Sequence, residues 1–169
     1  TALDATVQIQ ILLLLRELQA AMDLSIIFVT HDIGAAVEVA DEIAVMYAGR
    51  IVEQGSAKQL MRAPKHPYTY ALLMSRAHGS LKKGERLPAI GGSPPDLSRL
   101  PKGCAFAERC ERARDACLES QPEIEDHRGQ SVRCFFPIEK HVPTEKLVQQ
   151  SHSGAGTSSQ TMHHAPLSH

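Results

Sequence analysis

The residues best suited to do chemistry are four cysteines, Cys104, Cys110, Cys117 and Cys134, and one histidine, His31. The cysteines fall within 31 positions, with five, six and sixteen residues between successive members, unlike cysteines scattered through a core. Clustered thiols have three uses. Disulfides belong to oxidising compartments and are disfavoured in a chain that otherwise reads as cytosolic. Zinc is possible, but structural zinc sites are usually built on tight C-x2-4-C knuckles, and these gaps are wider. An iron–sulfur cluster also takes four thiolates and accepts more varied spacing. Helix geometry adds a condition: on an unbroken helix Cys110 and Cys117 would share a face but stand about 10 Å apart along the axis, too far for one metal centre. Residues 111–116 must therefore bend if both cysteines are ligands.

His31 closes a second notable stretch, Ser25-Ile26-Ile27-Phe28-Val29-Thr30-His31-Asp32. Apolar, mostly β-branched or aromatic residues from Ile26 end in Thr-His-Asp and pass into a helical pattern from Ile33, which predicts a buried parallel strand over 26–30. In open α/β sheets ligands bind beyond the carboxyl ends of strands, so Thr30, His31 and Asp32 are placed where a ligand would sit. A histidine in such a loop can equally do no more than satisfy a local hydrogen bond.

The elements that must position these groups follow from periodicity. A helix is expected over about Thr6 to Met22, with Val7, Ile11, Leu14, Leu15, Leu18 and Met22 on a broad apolar side that needs a sizeable packing partner. Asp32 can cap a shorter helix with Ile33, Ala36, Val37 and Ala40 inward. Helix, strand and helix together make a unit of a parallel sheet. Two short β runs, 42–47 and 51–55, flank a Gly-containing turn and predict an antiparallel hairpin at the sheet edge. A helix over about Ala57 to Arg62 is ended by Pro64, and Pro67 opens another carrying Tyr70, Leu73 and Met74 along one side. The Pro- and Gly-rich stretch Leu87 to Leu97 should run without regular structure. Ser151 to His169 is polar and low in apolar residues, and should be disordered.

Composition narrows the function classes. The chain is 43% hydrophobic and 22% charged, an ordinary balance for a soluble domain with an appendage. The longest strong apolar run, Ile11 to Leu15, is far short of the roughly 20 residues that cross a bilayer. A formal net charge of -1 offers no bulk attraction to nucleic acid or anionic lipid. No basic segment followed by an apolar one opens the chain, so a cytosolic location is expected.

The order of several segments carries a family resemblance. Thr-Ala-Leu-Asp at 1–4, the leucine-rich helix, Ile-Ile-Phe-Val-Thr-His-Asp at 26–32, Val-Ala-Asp-Glu-Ile-Ala-Val-Met-Tyr-Ala-Gly-Arg-Ile-Val-Glu-Gln-Gly at 39–55 and His-Pro-Tyr-Thr at 66–69 resemble the C-terminal half of ABC transporter ATP-binding subunits. They are most similar to the dipeptide/oligopeptide/nickel importer group, over roughly residues 1–137. The fold class implied is α/β: the C-terminal part of a P-loop nucleotide-binding domain with a loop-rich four-cysteine extension. The parts would be 1–76 for the ATPase portion, 77–98 for a linker, 99–137 for the extension and 138–169 for a tail.

For the site residues, the resemblance implies that Asp4 closes the D-loop at a dimer interface, facing the partner subunit's nucleotide, and that His31 is the switch histidine reaching the γ-phosphate. An imidazole N–H can donate to a phosphate oxygen and to the charge that develops in phosphoryl transfer. Asp4 could otherwise serve helix N-terminal electrostatics. The phosphate loop that such a domain needs is not found here. The nearest spacing, Gly79 to Gly84, is followed by Glu85-Arg86 and preceded by no strand. Hydrolysis by this chain alone is therefore not expected, and a strand buried on both faces would fold poorly without its neighbours.

In the second half, Leu100-Pro101-Lys102-Gly103-Cys104-Ala105-Phe106 with Arg109-Cys110, Ala113, Cys117, Pro122 and Val132-Arg133-Cys134 is similar to the C-terminal extension of peptide-importer ATPases. The resemblance implies a [4Fe-4S] cluster on the four cysteines, with zinc as the alternative, in a structural role. It also implies ATP with Mg2+, a second ATPase subunit, identical or homologous, transmembrane permease subunits, a peptide-binding protein, and a peripheral place on the cytoplasmic membrane face. Cargo would be peptides, with nickel or glutathione as variants within the group. A noncatalytic metal-binding module is the rival from another class.

Overall fold

The computed structural model describes residues 5–76 and 90–139. Asp4, most of the linker and the tail from 140 lie outside the described residues, and so does the disorder expected over 151–169. The elements run α1 (Ala5–Met22), α2 (Ile33–Val39), β1 (Glu42–Tyr47), β2 (Arg50–Ser56), α3 (Ala57–Arg62) and α4 (Pro67–Arg76). A 3-10 turn (Ala107–Arg109), α5 (Asp115–Glu119), β3 (Glu125–Asp126) and β4 (Ser131–Val132) complete the order.

The hairpin forms as its sequence demands. Ala48 and Gly49 both take positive φ, 49° and 77°, the mirror-image turn whose twist suits two-residue hairpins. On β1 Ile43, Val45 and Tyr47 alternate inward. Opposite them the register slips between Val45 and Met46. This bulge turns two consecutive residues of β2, Val52 and Glu53, into the interior. Local capping starts the helices. Asp32 Oδ1 accepts from the Gly34 and Ala35 N–H groups at α2, and Ser56 and Gln59 form a reciprocal capping box at α3.

The four-stranded sheet is antiparallel in the order β1-β2-β4-β3, with Glu53 opposite Val132 and Glu125 opposite Val132 on the other side. A strand from the cysteine region thus lies against the hairpin, and one core serves both. Ile43, Val45, Tyr47, Val52, Ala57, Leu60 and Phe106 form its buried cluster. Phe106 meets Tyr47 and Tyr68 edge-on, with ring centroids 5.2 Å and 5.4 Å away. Arg109 fastens the linker's end to this core, donating to the carbonyls of Gly91 and Ile90 and to the Tyr47 hydroxyl.

Two expectations for the first 30 residues need correcting. The buried parallel strand over 26–30 does not form: the segment pairs with no strand among the described residues, and Ile27 and Val29 are 93% and 89% exposed. A strand exists only through neighbours, and the β-structure present here is already committed to an antiparallel sheet of its own. The helix α1 forms, but its apolar stripe does not pack: Val7, Ile11, Leu14, Leu18 and Met22 are exposed, while Leu12 is the buried position. Its link to α2 includes a bond from Arg16 to the Glu38 carbonyl, 3.3 Å.

Candidate functional site

All four cysteines line one cavity, together with His66, Phe106, Arg112, Pro122, Phe135 and Phe136. Its empty space, counted out to open solvent, is about 340 Å3. Each cysteine is positioned by short backbone links. The Cys104 N–H donates to the Cys117 carbonyl at 2.7 Å, which binds the loop before the 3-10 turn to α5. Gly103 allows that approach, because a Cβ there would collide with the backbone of Cys117 and Leu118. Cys134 follows Arg133, whose N–H bonds to the Val52 carbonyl at 2.9 Å and so extends the contact with β2. Between Cys110 and Cys117 the chain turns at 111–114 before α5 begins, which meets the condition that no continuous helix join them.

The electrostatics of the cavity are mixed. Burial pushes the Cys104 and Cys110 thiols up, and pushes Cys134 up to about 11. Against this, backbone N–H groups of Phe106, Arg112 and Phe136 point at the sulfurs of Cys104, Cys110 and Cys134 and favour their thiolates. The sulfurs of Cys104, Cys110 and Cys134 therefore rest as thiols in an apolar setting that already carries hydrogen bonds for thiolates. Among the described residues no three His, Cys, Asp or Glu side chains are set to hold a single metal ion.

Behind the cavity lies a polar knot that sequence patterning missed. Glu53, fully buried, accepts from the N–H groups of Lys65 and His66 at 2.7 and 2.9 Å, and from the Gln130 side chain at 3.3 Å. Burial raises its pKa above the ordinary 4.5, despite these bonds. His66, 1% exposed, accepts the Tyr68 N–H on Nδ1 at 3.0 Å and caps α4, so its proton sits on Nε2. Burial lowers its pKa to about 4, and the ring is neutral at pH 7. The available clue was His66-Pro67: proline in a helix's first turn, preceded by a residue able to cap it.

His31 occupies a separate place. It is exposed at a bend between the unpaired segment 24–30 and α2. Thr30 Oγ1 accepts the Asp32 N–H at 3.0 Å, so the Thr-His-Asp turn is locally ordered. His31 does not line the cysteine cavity, and Asp4 lies outside the described residues.

A family description, oligopeptide/dipeptide transporter C-terminal region, matches residues 52–117. Curated relatives extend the similarity further. A Brucella ovis protein named for peptide import and ATP binding is 45% identical over 143 residues, covering 80% of this chain and 42% of the relative. The oligopeptide transport ATP-binding proteins OppD of Bacillus subtilis and Escherichia coli are 50% and 42% identical over 124 and 140 residues. These matches cover 73% and 83% of this chain, and 35% and 41% of the two relatives. The chain carries the oligopeptide/dipeptide transporter C-terminal region. It spans about two fifths of the length of the relatives it matches. The transporter C-terminal region begins in β2, takes in α3, α4 and the 3-10 turn, and ends at Cys117 in α5. Three of the four cysteines lie within it, and Cys134 follows.

Proposed function

We propose that this chain is the C-terminal part of the energy-coupling ATP-binding subunit of an ABC importer of peptides. The observation that carries the proposal is 42–50% identity to proteins named for peptide import or oligopeptide transport and ATP binding. In this reading Asp4 belongs to the D-loop facing a partner subunit's nucleotide, and His31 donates an N–H to the γ-phosphate as charge develops there. Exposure of His31 beside a capped helix supports the second role, since a ligand can reach it. ATP and Mg2+ would be held mainly by a phosphate loop that these 169 residues do not contain, so the chain by itself is expected not to hydrolyse ATP. The working assembly would pair two such subunits under a permease fed by a peptide-binding protein, with the subunit peripheral on the cytoplasmic face. No helix among the described residues is long and apolar enough to cross a membrane. Sequencing the coding DNA in frame upstream of Thr1 tests the reading. A P-loop, a signature motif and an Asp-Glu pair before Thr1 are expected, whereas a stop codon there would overturn it.

The same reading gives Cys104, Cys110, Cys117 and Cys134 a [4Fe-4S] cluster. Its support is the convergence of all four on one cavity walled by Phe106, Phe135 and Phe136, with backbone N–H groups already turned to three of the sulfurs. Zinc fits less well. One ion requires its sulfurs about 2.3 Å away, and no such group stands ready among the described residues. A cluster spreads its four ligands over a wider cage. When bound, it would supply a covalent tie among the loops around α5, with the buried Phe106 ring behind it. Protein purified without oxygen should carry iron and acid-labile sulfide, with both lost in Cys134→Ser and kept in His31→Ala. Zinc in place of iron would favour the noncatalytic metal-binding module instead.

A further inference from the structure

We propose that His66 is a side-chain hydrogen-bond donor to the group held by the four cysteines, giving its Nε2–H to an anionic sulfur in the cavity. The inference rests on the cluster reading above and deepens it with a contact from outside the cysteine loops. Three observations carry it. His66 lines the same cavity as Cys104, Cys110, Cys117 and Cys134, and its ring stands 6.0 Å from that of Phe106 in the wall. Pro67 has no N–H, so the first N–H that α4 offers is that of Tyr68, which donates to His66 Nδ1 at 3.0 Å. A ring nitrogen that accepts carries no proton, so the proton is on Nε2 and makes it a donor. Nothing among the described residues accepts from Nε2, and it is not one of the polar atoms sealed in protein without a partner. In a residue only 1% exposed, the open space beside Nε2 is the cavity itself.

The bond to Tyr68 also decides the kind of contact. His66 could become a fifth ligand only by moving its proton to Nδ1, where the Tyr68 N–H already stands. Donation suits the cavity, because four thiolates around an iron–sulfur core leave a net negative charge, and a buried charge is costly unless it is hydrogen-bonded. Backbone N–H groups of Phe106, Arg112 and Phe136 serve three of the sulfurs from within the cysteine loops. His66 approaches from the start of α4, with its own backbone N–H held by Glu53 of β2 at 2.9 Å. Its contact would therefore tie the cysteine-held group to the hairpin side of the shared core.

The test uses the full chain, made with histidine carrying heavy nitrogen in its ring and reconstituted without oxygen from ferrous iron and sulfide. In the reduced protein, pulsed electron spin resonance should show a weak coupling to a histidine nitrogen. The coupling should persist in His31→Ala and His127→Gln and vanish in His66→Asn. Two variants then separate the ring's nitrogens. Asparagine is a short, favoured helix cap, so His66→Asn keeps an acceptor for the Tyr68 N–H and loses the donor, while His66→Gln places an amide N–H near Nε2 and loses the cap. Hydrogen bonds to sulfur favour the reduced, more negative cluster. Under dithionite titration His66→Asn should therefore resist reduction about tenfold more than wild type, a potential lower by about 59 mV for one electron. His66→Gln should recover most of that difference, although it is the less stable of the two in urea melts. Potentials equal to wild type in both variants, or ranked as their stabilities are, would leave His66 a helix cap and no more. Absence of the nitrogen coupling in reduced wild type, which needs no variant to fold, would overturn the donor role while leaving the cluster standing. Wild-type protein that binds neither iron nor sulfide would overturn both.

Discussion

The chain carries two candidate sites, and they differ in what surrounds them. The cysteine cavity is backed by its own chain: Phe106 is 3% exposed, and β4 fixes the loop of Cys134 against β2. The His31 segment is the reverse, with a strand-like run of Ile26, Ile27, Phe28 and Val29 lying unpaired and exposed beside a helix whose apolar stripe is also uncovered. Apolar residues are denser around His31 than around the cysteines. Nearness of a partner decides which of them becomes a core. The cysteine region therefore should show ordinary folded-domain energetics in this chain, and the His31 segment should not.

The comparison breaks most severely at Phe106. Its ring joins the hairpin, α4 and the cysteine loops through Tyr47, Tyr68 and His66. Phe106→Ala should cost about 3–5 kcal/mol, read from urea melts, and should abolish iron loading. A loss under 1 kcal/mol would mean that the shared core is not formed.

Acid should expose the same core next. His66 is held near 4 in the fold against 6.5 when free, so the unfolded chain binds more protons between those values. Stability present above pH 6.5 is then lost as pH falls towards 4, by about 3 kcal/mol. Glu53 works the other way. Its raised pKa gives a contribution that is complete below about 4.5 and fades as pH rises through the folded value. Melts of the metal-free chain across pH 4–7 should thus show a loss that His66→Gln flattens and Glu53→Gln steepens. A smaller effect, about 1–3 kcal/mol, is expected from Gly103→Ala, whose new methyl group meets the Cys117 and Leu118 backbone. Unchanged stability and loading in that variant would show that the Cys104 loop has slack.

What the sequence made legible follows the same division. Short-range features were all accessible: the Ala48-Gly49 turn, the Asp32 cap, the helix opened by Pro67 and the break between Cys110 and Cys117 depend on residues a few positions apart. Long-range features were not. β3 and β4 are two residues each and leave no alternation to read, so their union with the hairpin, which makes the sheet antiparallel, was invisible. Glu53 is turned inward by the bulge at Val45/Met46, a register slip that residue alternation does not announce. The clustering of the cysteines was plain from spacing, but the contribution of His66 to their cavity comes from folding a distant segment against them. Residues 26–30 were read as a buried strand from their residue types, no strand forms there, and the error lay in assuming neighbours for them.

That error supplies the finest test. Ile27 makes almost no contact in this chain, so Ile27→Ser should change its stability by no more than about 0.5 kcal/mol. It should also reduce self-association, measured by sedimentation, since an exposed apolar run with open backbone groups invites strand pairing between copies. In a longer polypeptide that supplies strands on either side, as the importer reading requires, the same side chain would be buried. There the substitution would remove apolar contacts and bury a hydroxyl, at about 2–5 kcal/mol. An equally small effect in both settings would mean that residues 26–30 are not a sheet strand in either. His31 would then lack the strand end that, in the importer reading, aims it at a phosphate.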